Sequence, residues 1–415
     1  MKQINKYFHK FVWYSLTVIA IFALADGAAQ LFEDKTITKG EGGKWITDDT
    51  LGYKPQKGFA EITNNEFQTF RQINSYGMND AEIDSQSKKA KVKIMVVGDS
   101  HSYAVGVSTD KVFSHLLEKK LFKGQIDSGS VYNCAMTGYS LSQYLLKYRQ
   151  MREVVPPQLL IIGFSMATDL HDLIPPRKGG FVYGSEFTSR IYHDLDSNNN
   201  LVEKIDLVGT NAKNIAKNKE IPIKQTHNIK NRNLKVQKPL YTEIISTIKS
   251  TALFRRLRES DLVLYVARYI VSDKFSFWEG LEPAIRINLS PEHQYRWLLA
   301  DRLLQQIKKE AKEQQTKVIL LNIAYAPVIY DELWDNSFGL YPQKYNRFIC
   351  AERLAEICKK YEIDFIDTTP LFKQKVKENN RWLHYKKDRH PTEEGHLLIA
   401  DTLTKFINSR FLKAQ

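Results

Sequence analysis

Apolar and polar positions alternate in blocks along two stretches of the chain. "VKIMVVG" (92–98) is a run of apolar and β-branched residues and predicts a strand. "KVFSHLLEKKL" (111–121) places Val112, Phe113, Leu116, Leu117 and Leu121 at helical spacing. "GSVYNCAM" (129–136) predicts a short strand and "SLSQYLLKYRQMREV" (140–154) a helix. Pro156 and Pro157 break the chain, and "QLLIIGFS" (158–165) is apolar nearly throughout, as in a strand covered on both faces. The alternation resumes after residue 292. "QYRWLLADRLLQQIKKEAKEQQ" predicts an amphipathic helix with Trp297, Leu298, Leu303, Leu304 and Ile307 toward the core. "TKVILLNIA" predicts a strand, "YNRFICAERLAEICKKY" a helix, and "IDFIDTTPLF" a short strand and turn. In the closing segment Leu397, Ala400, Leu403, Phe406 and Ile407 follow helical spacing. Strand, helix, strand is the order of a parallel sheet with helices on its faces.

Between and before these stretches the pattern changes. Residues 33–90 are polar and read as loops with short extended pieces, an N-terminal extension. Residues 176–292 interrupt the alternation, and 201–240 carry nine Lys/Arg against three Asp/Glu. This block reads as a basic, surface-exposed insertion. Two helical pieces within it, "YTEIISTIKSTALFRRLRES" and "DLVLYVARYIV", would form a cap. At the start, basic "MKQINKYFHK" precedes the uncharged run "FVWYSLTVIAIFALA", and Ala23-Leu24-Ala25 stands as a small-x-small site. Residues 1–32 therefore read as a signal peptide or a membrane anchor, and the chain as exported, periplasmic, with inner-membrane attachment through this segment open.

Composition refines this picture in two ways. The 415 residues, 43% apolar, suffice for one large α/β domain with insertions. The net charge of +13 suits anionic partners. Nucleic acid is disfavoured by the export signal and by the lack of an aromatic-basic recognition motif. The three cysteines, Cys134, Cys350 and Cys358, make no disulfide framework and no zinc spacing. Cys350 and Cys358 would lie about 12 Å apart on one helix, too far for a bridge.

In an open parallel sheet, ligands sit beyond the carboxyl ends of the strands. Ser100 follows the strand at 92–97, Gly138 follows that near 131–135, and Thr168 and Asp169 follow that at 159–164. "DRHP" stands just before the last helix. A serine hydroxyl needs a base in hydrogen-bond reach and a third group to orient that base. His390 is the candidate base and Asp388 its orienter, since residues i and i+2 of an extended segment project to one side. Pro391 biases His390 toward such a backbone. His101 would line the site. His171 and Asp172 read as a solvated loop, His396 as helix packing, and Cys134 as a buried thiol.

Taken together, "VVGDSHS", "NCAMTGYS", "GFSMATDLHD" and "DRHPTEEGH" resemble the four blocks of the SGNH/GDSL hydrolases. The resemblance covers residues 91–175 and 293–408, and "QINSYGMND" resembles the lead-in of exported polysaccharide-modifying members. It implies a flavodoxin-like three-layer α/β/α domain, spanning 91–175 and 293–415. It implies Ser100 as nucleophile, His390 as general base and Asp388 as its orienter. Ser100, Gly138 and Thr168 would supply the oxyanion hole, with His101 and Asp169 near the substrate. Thr168 stands where the family's third block carries asparagine, and the Asp-to-His spacing of the fourth block is one residue shorter. The implied activity is ester hydrolysis on an acylated, chiefly acetylated, exported carbohydrate. O-acetyl transfer in exopolysaccharide assembly and a catalytically silent envelope binding protein are the alternatives. Neither a metal nor an organic cofactor is expected, because triad chemistry requires none.

Overall fold

The computed structural model describes residues 36–123, 128–173, 190–206 and 280–412. The signal or anchor expected over 1–32 and the cap helices expected within 241–271 lie outside the described residues. The chain divides into two compact units. One comprises Ile37–His227 and Trp278–Gln415; the other comprises Met1–Thr36 and Asn228–Phe277. Among the described residues, no helix is long and apolar enough to cross a membrane.

The extended pieces of the N-terminal extension pair into two small antiparallel sheets. Strands β1 (Ile37–Gly40), β4 (Gly58–Thr63) and β5 (Gln68–Ile73) form one, and β2 (Trp45–Asp48) and β3 (Gly52–Pro55) the other. The free edge of β5 is covered: the Phe70 and Gln72 N–H groups donate to the hydroxyls of Ser108 and Thr109 at 3.0 and 2.9 Å. The extension is thus bonded to the segment that follows Ser100.

The central sheet comprises β6 (Val92–Gly98), β7 (Gly129–Asn133), β8 (Leu159–Ser165), β11 (Lys317–Ile323) and β12 (Asp364–Asp367). All its pairings are parallel, and the spatial order is β7-β6-β8-β11-β12. Renumbered within the sheet this is 2-1-3-4-5, the flavodoxin-like order, with its switch point beside β6. Every residue of β8 is buried, as its unbroken apolar run requires. Helices α2 (Phe113–Phe122) and α7 (Glu393–Ile407) pack together on one face, behind the short α1 (Ser100–Tyr103). Helices α3 (Leu141–Arg152), α4 (Pro291–Glu313) and α5 (Ile349–Tyr361) cover the other. The domain is a three-layer α/β/α sandwich.

Two elements differ from the sequence reading. "TPLFKQKVKEN" is helix α6 (Thr369–Asn379), not a turn. Pro370 fits its first turn, where a missing N–H costs nothing, and the lysine-rich remainder hides the pattern. The 176–292 block is not uniformly a surface insertion either. Strands β9 (Arg190–Leu195) and β10 (Leu201–Asp206) form a hairpin in it, and Ile191 donates its N–H to Thr50 O at 3.1 Å. At its other end Leu281, Ala284 and Ile285 are core residues.

Where β6 meets α1 the backbone leaves no room for side chains. A Cβ on Gly98 or on Gly163, its neighbour on β8, would collide with the buried Ser102 side chain. Gly98→Ala is therefore expected to lower stability by about 1–3 kcal/mol through overpacking. The midpoint of urea unfolding checks this; an unchanged midpoint would show that Ser102 simply moves aside.

Candidate active site

The segment "GDSHSYAVG" is a strand end, a cap, one helical turn and a left-handed exit. Asp99 caps α1 by accepting the His101 N–H at 2.9 Å. Ala104 (φ 68°) ends the helix in the left-handed region. Gly106 follows at φ 81°, and Tyr385 packs where its Cβ would be and donates its hydroxyl to Gly106 O at 2.6 Å. A glycine at 106 thus lets the Ser100 segment meet the C-terminal loop. That loop closes on itself: His384 bridges Pro391, the Tyr385 N–H donates to His390 O at 2.9 Å, and Arg389 takes a left-handed conformation (φ 72°).

Those two segments meet at the carboxyl edge of β6. His390 Nε2 lies 2.7 Å from Ser100 Oγ, and His390 Nδ1 lies 2.5 Å from Asp388 Oδ1. An ionised carboxylate only accepts, so Nδ1 carries the proton and Nε2 is free to accept the serine's. Burial disfavours the cationic form of His390. The charge and hydrogen bond of Asp388, with Asp99 behind, outweigh burial and raise its pKa above the ordinary histidine value. The His390 side chain remains 19% exposed, so the dyad opens to solvent.

The backbone N–H groups of Ser100 and Gly138 donate to no other described residue. Gly138 has φ 74°, a conformation that favours glycine. Its loop is braced from the extension: Tyr53 donates its hydroxyl to Thr137 O at 2.9 Å, and Tyr139 returns one to Tyr53 O at 2.6 Å.

Thr168 departs from the sequence expectation. Its hydroxyl donates to Asp99 Oδ2 at 2.7 Å. A hydroxyl has one proton, so in this arrangement Thr168 is not a third oxyanion donor. Asp99 is buried, which alone would raise its pKa. The charge and hydrogen bonds of His101 and the Thr168 hydroxyl reverse that and hold it at about 2. A depressed acid contributes stability that is present above the ordinary aspartate value and lost as pH falls through about 2. Thr168→Val is expected to lower stability by about 1.5–3 kcal/mol, the loss of a bond to a charged group. It should also move acid unfolding to higher pH. Thermal melts between pH 2 and 7 check both, and a variant as acid-resistant as the parent would contradict them.

The two residues expected near the substrate are both interior. Asp169 is fully buried, accepting from the Ser165 N–H at 2.9 Å and the Tyr144 hydroxyl at 2.5 Å. It organises the end of β8 and does not face the site's opening. His101 is buried with Nδ1 against Asp99 and Ser165, 3.2 and 3.1 Å away. Its ring centroid is 4.6 Å from that of His390, so it backs that ring. His396 is buried and stacks on Phe113. Cys134 is a free buried thiol. His171 is hydrogen-bonded to Asp172 at 3.0 Å, and Asp172 is buried, not solvated. Among the described residues, no three His, Cys, Asp or Glu side chains converge as metal ligands.

One supporting residue had no sequence signal. Glu66 accepts the backbone N–H groups of Lys387 (2.9 Å) and Asp388 (2.8 Å) across 321 and 322 positions of chain. No local pattern marks such a contact.

No protein-family model matches the chain, and no curated protein matches it. Solved structures similar to it include an alpha/beta hydrolase enzyme from the metagenome of Lake Arreo, Spain. That match has 10% identity and a TM-score of 0.35, covering 77% of this chain and 97% of that one. A catalytic mutant of an acetylxylan esterase from Geobacillus stearothermophilus matches with 10% identity and a TM-score of 0.36, over 77% and 95%. The psychrotrophic esterase EstA from Pseudoalteromonas sp. matches with 11% identity and a TM-score of 0.34, over 76% and 97%.

Proposed function

We propose that the protein is a serine esterase of the SGNH type, removing acyl groups, chiefly acetyl, from an exported carbohydrate. The observation that carries this reading is the continuous Ser100–His390–Asp388 hydrogen-bond chain, together with Ser100 and Gly138 N–H groups that donate to no other described residue. As Ser100 Oγ attacks the ester carbonyl, its proton passes to His390 Nε2. Asp388 holds the ring and stabilises the imidazolium. The negative oxygen of the tetrahedral intermediate lies against the Ser100 and Gly138 N–H groups. Collapse breaks the ester C–O bond, and His390 returns the proton to the leaving sugar hydroxyl. Water, deprotonated by His390, then attacks the acyl-serine and restores the enzyme.

The same acyl-serine serves O-acetyl transfer if a sugar hydroxyl replaces water. Residues 33–415 incubated with 4-nitrophenyl acetate and an unacetylated oligosaccharide separate the two. Acetate release alone supports hydrolysis, while acetylated sugar supports transfer. No turnover of the aryl ester or of an acetylated oligosaccharide would overturn both and leave a silent binding protein. Export rests on the N-terminal segment, and secretion of a reporter fused after residue 32 tests it.

A further inference from the structure

Arg71 is a cation beside the helix that carries Ser100, and among the described residues it has no counter-charge. Along β5, Thr69 and Ile73 are buried while Phe70 is 61% exposed, so Arg71 shares the inward face with Thr69 and Ile73. Its guanidinium lies over the Tyr103 ring, 4.7 Å from the centroid. Tyr103 is three residues after Ser100 in α1, and residues so spaced are neighbours on a helix surface. Gly43, at φ 86°, lies against both: a Cβ there would make ordinary van der Waals contact, 3.9 Å from Arg71 Nη1 and 3.8 Å from the Tyr103 hydroxyl.

Several other arginines of this domain are paired with carboxylates. Arg149 and Arg152 meet Glu310, Arg296 meets Glu292, and Arg347 meets Asp331. Arg71 meets no carboxylate among the described residues, and its buried Nε has no hydrogen-bond partner. Its charge reaches the base, opposing the upward pull of Asp388 on His390. Tyr103 partners the guanidinium through its ring and its hydroxyl but does not neutralise its charge, and a half-buried charge left unneutralised is costly. A guanidinium fork also matches planar carboxylate or phosphate oxygens.

We propose that Arg71 binds an anionic group, a uronate carboxylate or a phosphate, carried by the sugar whose ester Ser100 attacks. This inference rests on the esterase reading and adds to it the charge of the substrate. The anion would meet the guanidinium, with the acylated hydroxyl directed toward Ser100.

The test compares kcat/KM of the parent, Arg71→Ala and Arg71→Lys on four substrates. These are 4-nitrophenyl acetate, an acetylated xylo-oligosaccharide, an acetylated oligogalacturonide and acetylated glucose 6-phosphate. The parent should prefer one charged sugar, which identifies carboxylate or phosphate as the source. Arg71→Ala should lose about tenfold to a hundredfold more on that substrate than on the two neutral ones, chiefly through KM. Arg71→Lys should recover more of a phosphate preference than of a carboxylate one. Equal losses on charged and neutral substrates, or no preference in the parent, would overturn the proposal. If the parent turns over none of the four, the esterase reading fails by itself. Calorimetric titration of oligogalacturonide and of glucose 6-phosphate then decides the Arg71 site. Binding present in the parent and absent in Arg71→Ala upholds it, and no difference sinks it.

Discussion

Replacing Ser100 with alanine is expected to lower kcat on 4-nitrophenyl acetate by about 10⁴–10⁶. The hydroxyl is the only atom removed, and it is the one within 2.7 Å of His390 Nε2. Ser100 stands at the first position of α1, whose cap is Asp99, so the variant should fold and melt much as the parent does. His390→Ala should lose a comparable factor, because an unactivated hydroxyl is a poor nucleophile. The double variant should be little worse than either single one, since the pair acts as a unit. The residual rate would come from binding and the two backbone donors. Equal turnover by parent and Ser100→Ala would refute the nucleophile assignment.

Asp388→Asn should cost about 10⁴ in kcat while leaving the loop in place. An amide in that position can donate to Nδ1, which then loses its proton to Nε2. A protonated Nε2 facing Ser100 is not a base. The pH dependence gives a second, independent readout. In the parent the neutral form of His390 is required, and its pKa is raised, so the acid limb of kcat/KM should lie above the ordinary histidine value of about 6.5. Removing the carboxylate takes away the main upward pull, and the limb of the residual activity should move to lower pH. Stability follows the same linkage. A raised histidine contributes stability that is full below its unfolded pKa and lost as pH rises through its folded one. Asp388→Asn should therefore lower Tm more at pH 5 than at pH 9. An unmoved acid limb with a uniform Tm loss would mean that Asp388 merely packs the loop.

By itself the sequence determined the sheet and its order of elements. Buried parallel strands are continuous apolar runs, as in "VKIMVVG" and "QLLIIGFS", and the helices between them repeat at their own period. It also placed Ser100 and Gly138 at strand ends and the "DRHP" segment just before the last helix, because chain order and strand direction fix which edge each loop occupies. Asp388 and His390 were legible because their spacing is local. Only the tertiary structure decided what lies between such segments. Thr168 sits in the expected loop, but its proton goes to Asp99, a choice made by a contact 69 residues away. Asp169 is polar and adjacent to the site in sequence, yet it turns inward to hold the end of β8. Most of all, the polar N-terminal extension, which carries no apolar period worth reading, wraps the site. It supplies Glu66 to the Asp388 loop, Tyr53 to the Gly138 loop and Arg71 to Tyr103. Hydrogen bonds and ring contacts of that kind join groups far apart in the chain. They leave no periodic trace, so only the assembled fold can bring them into view.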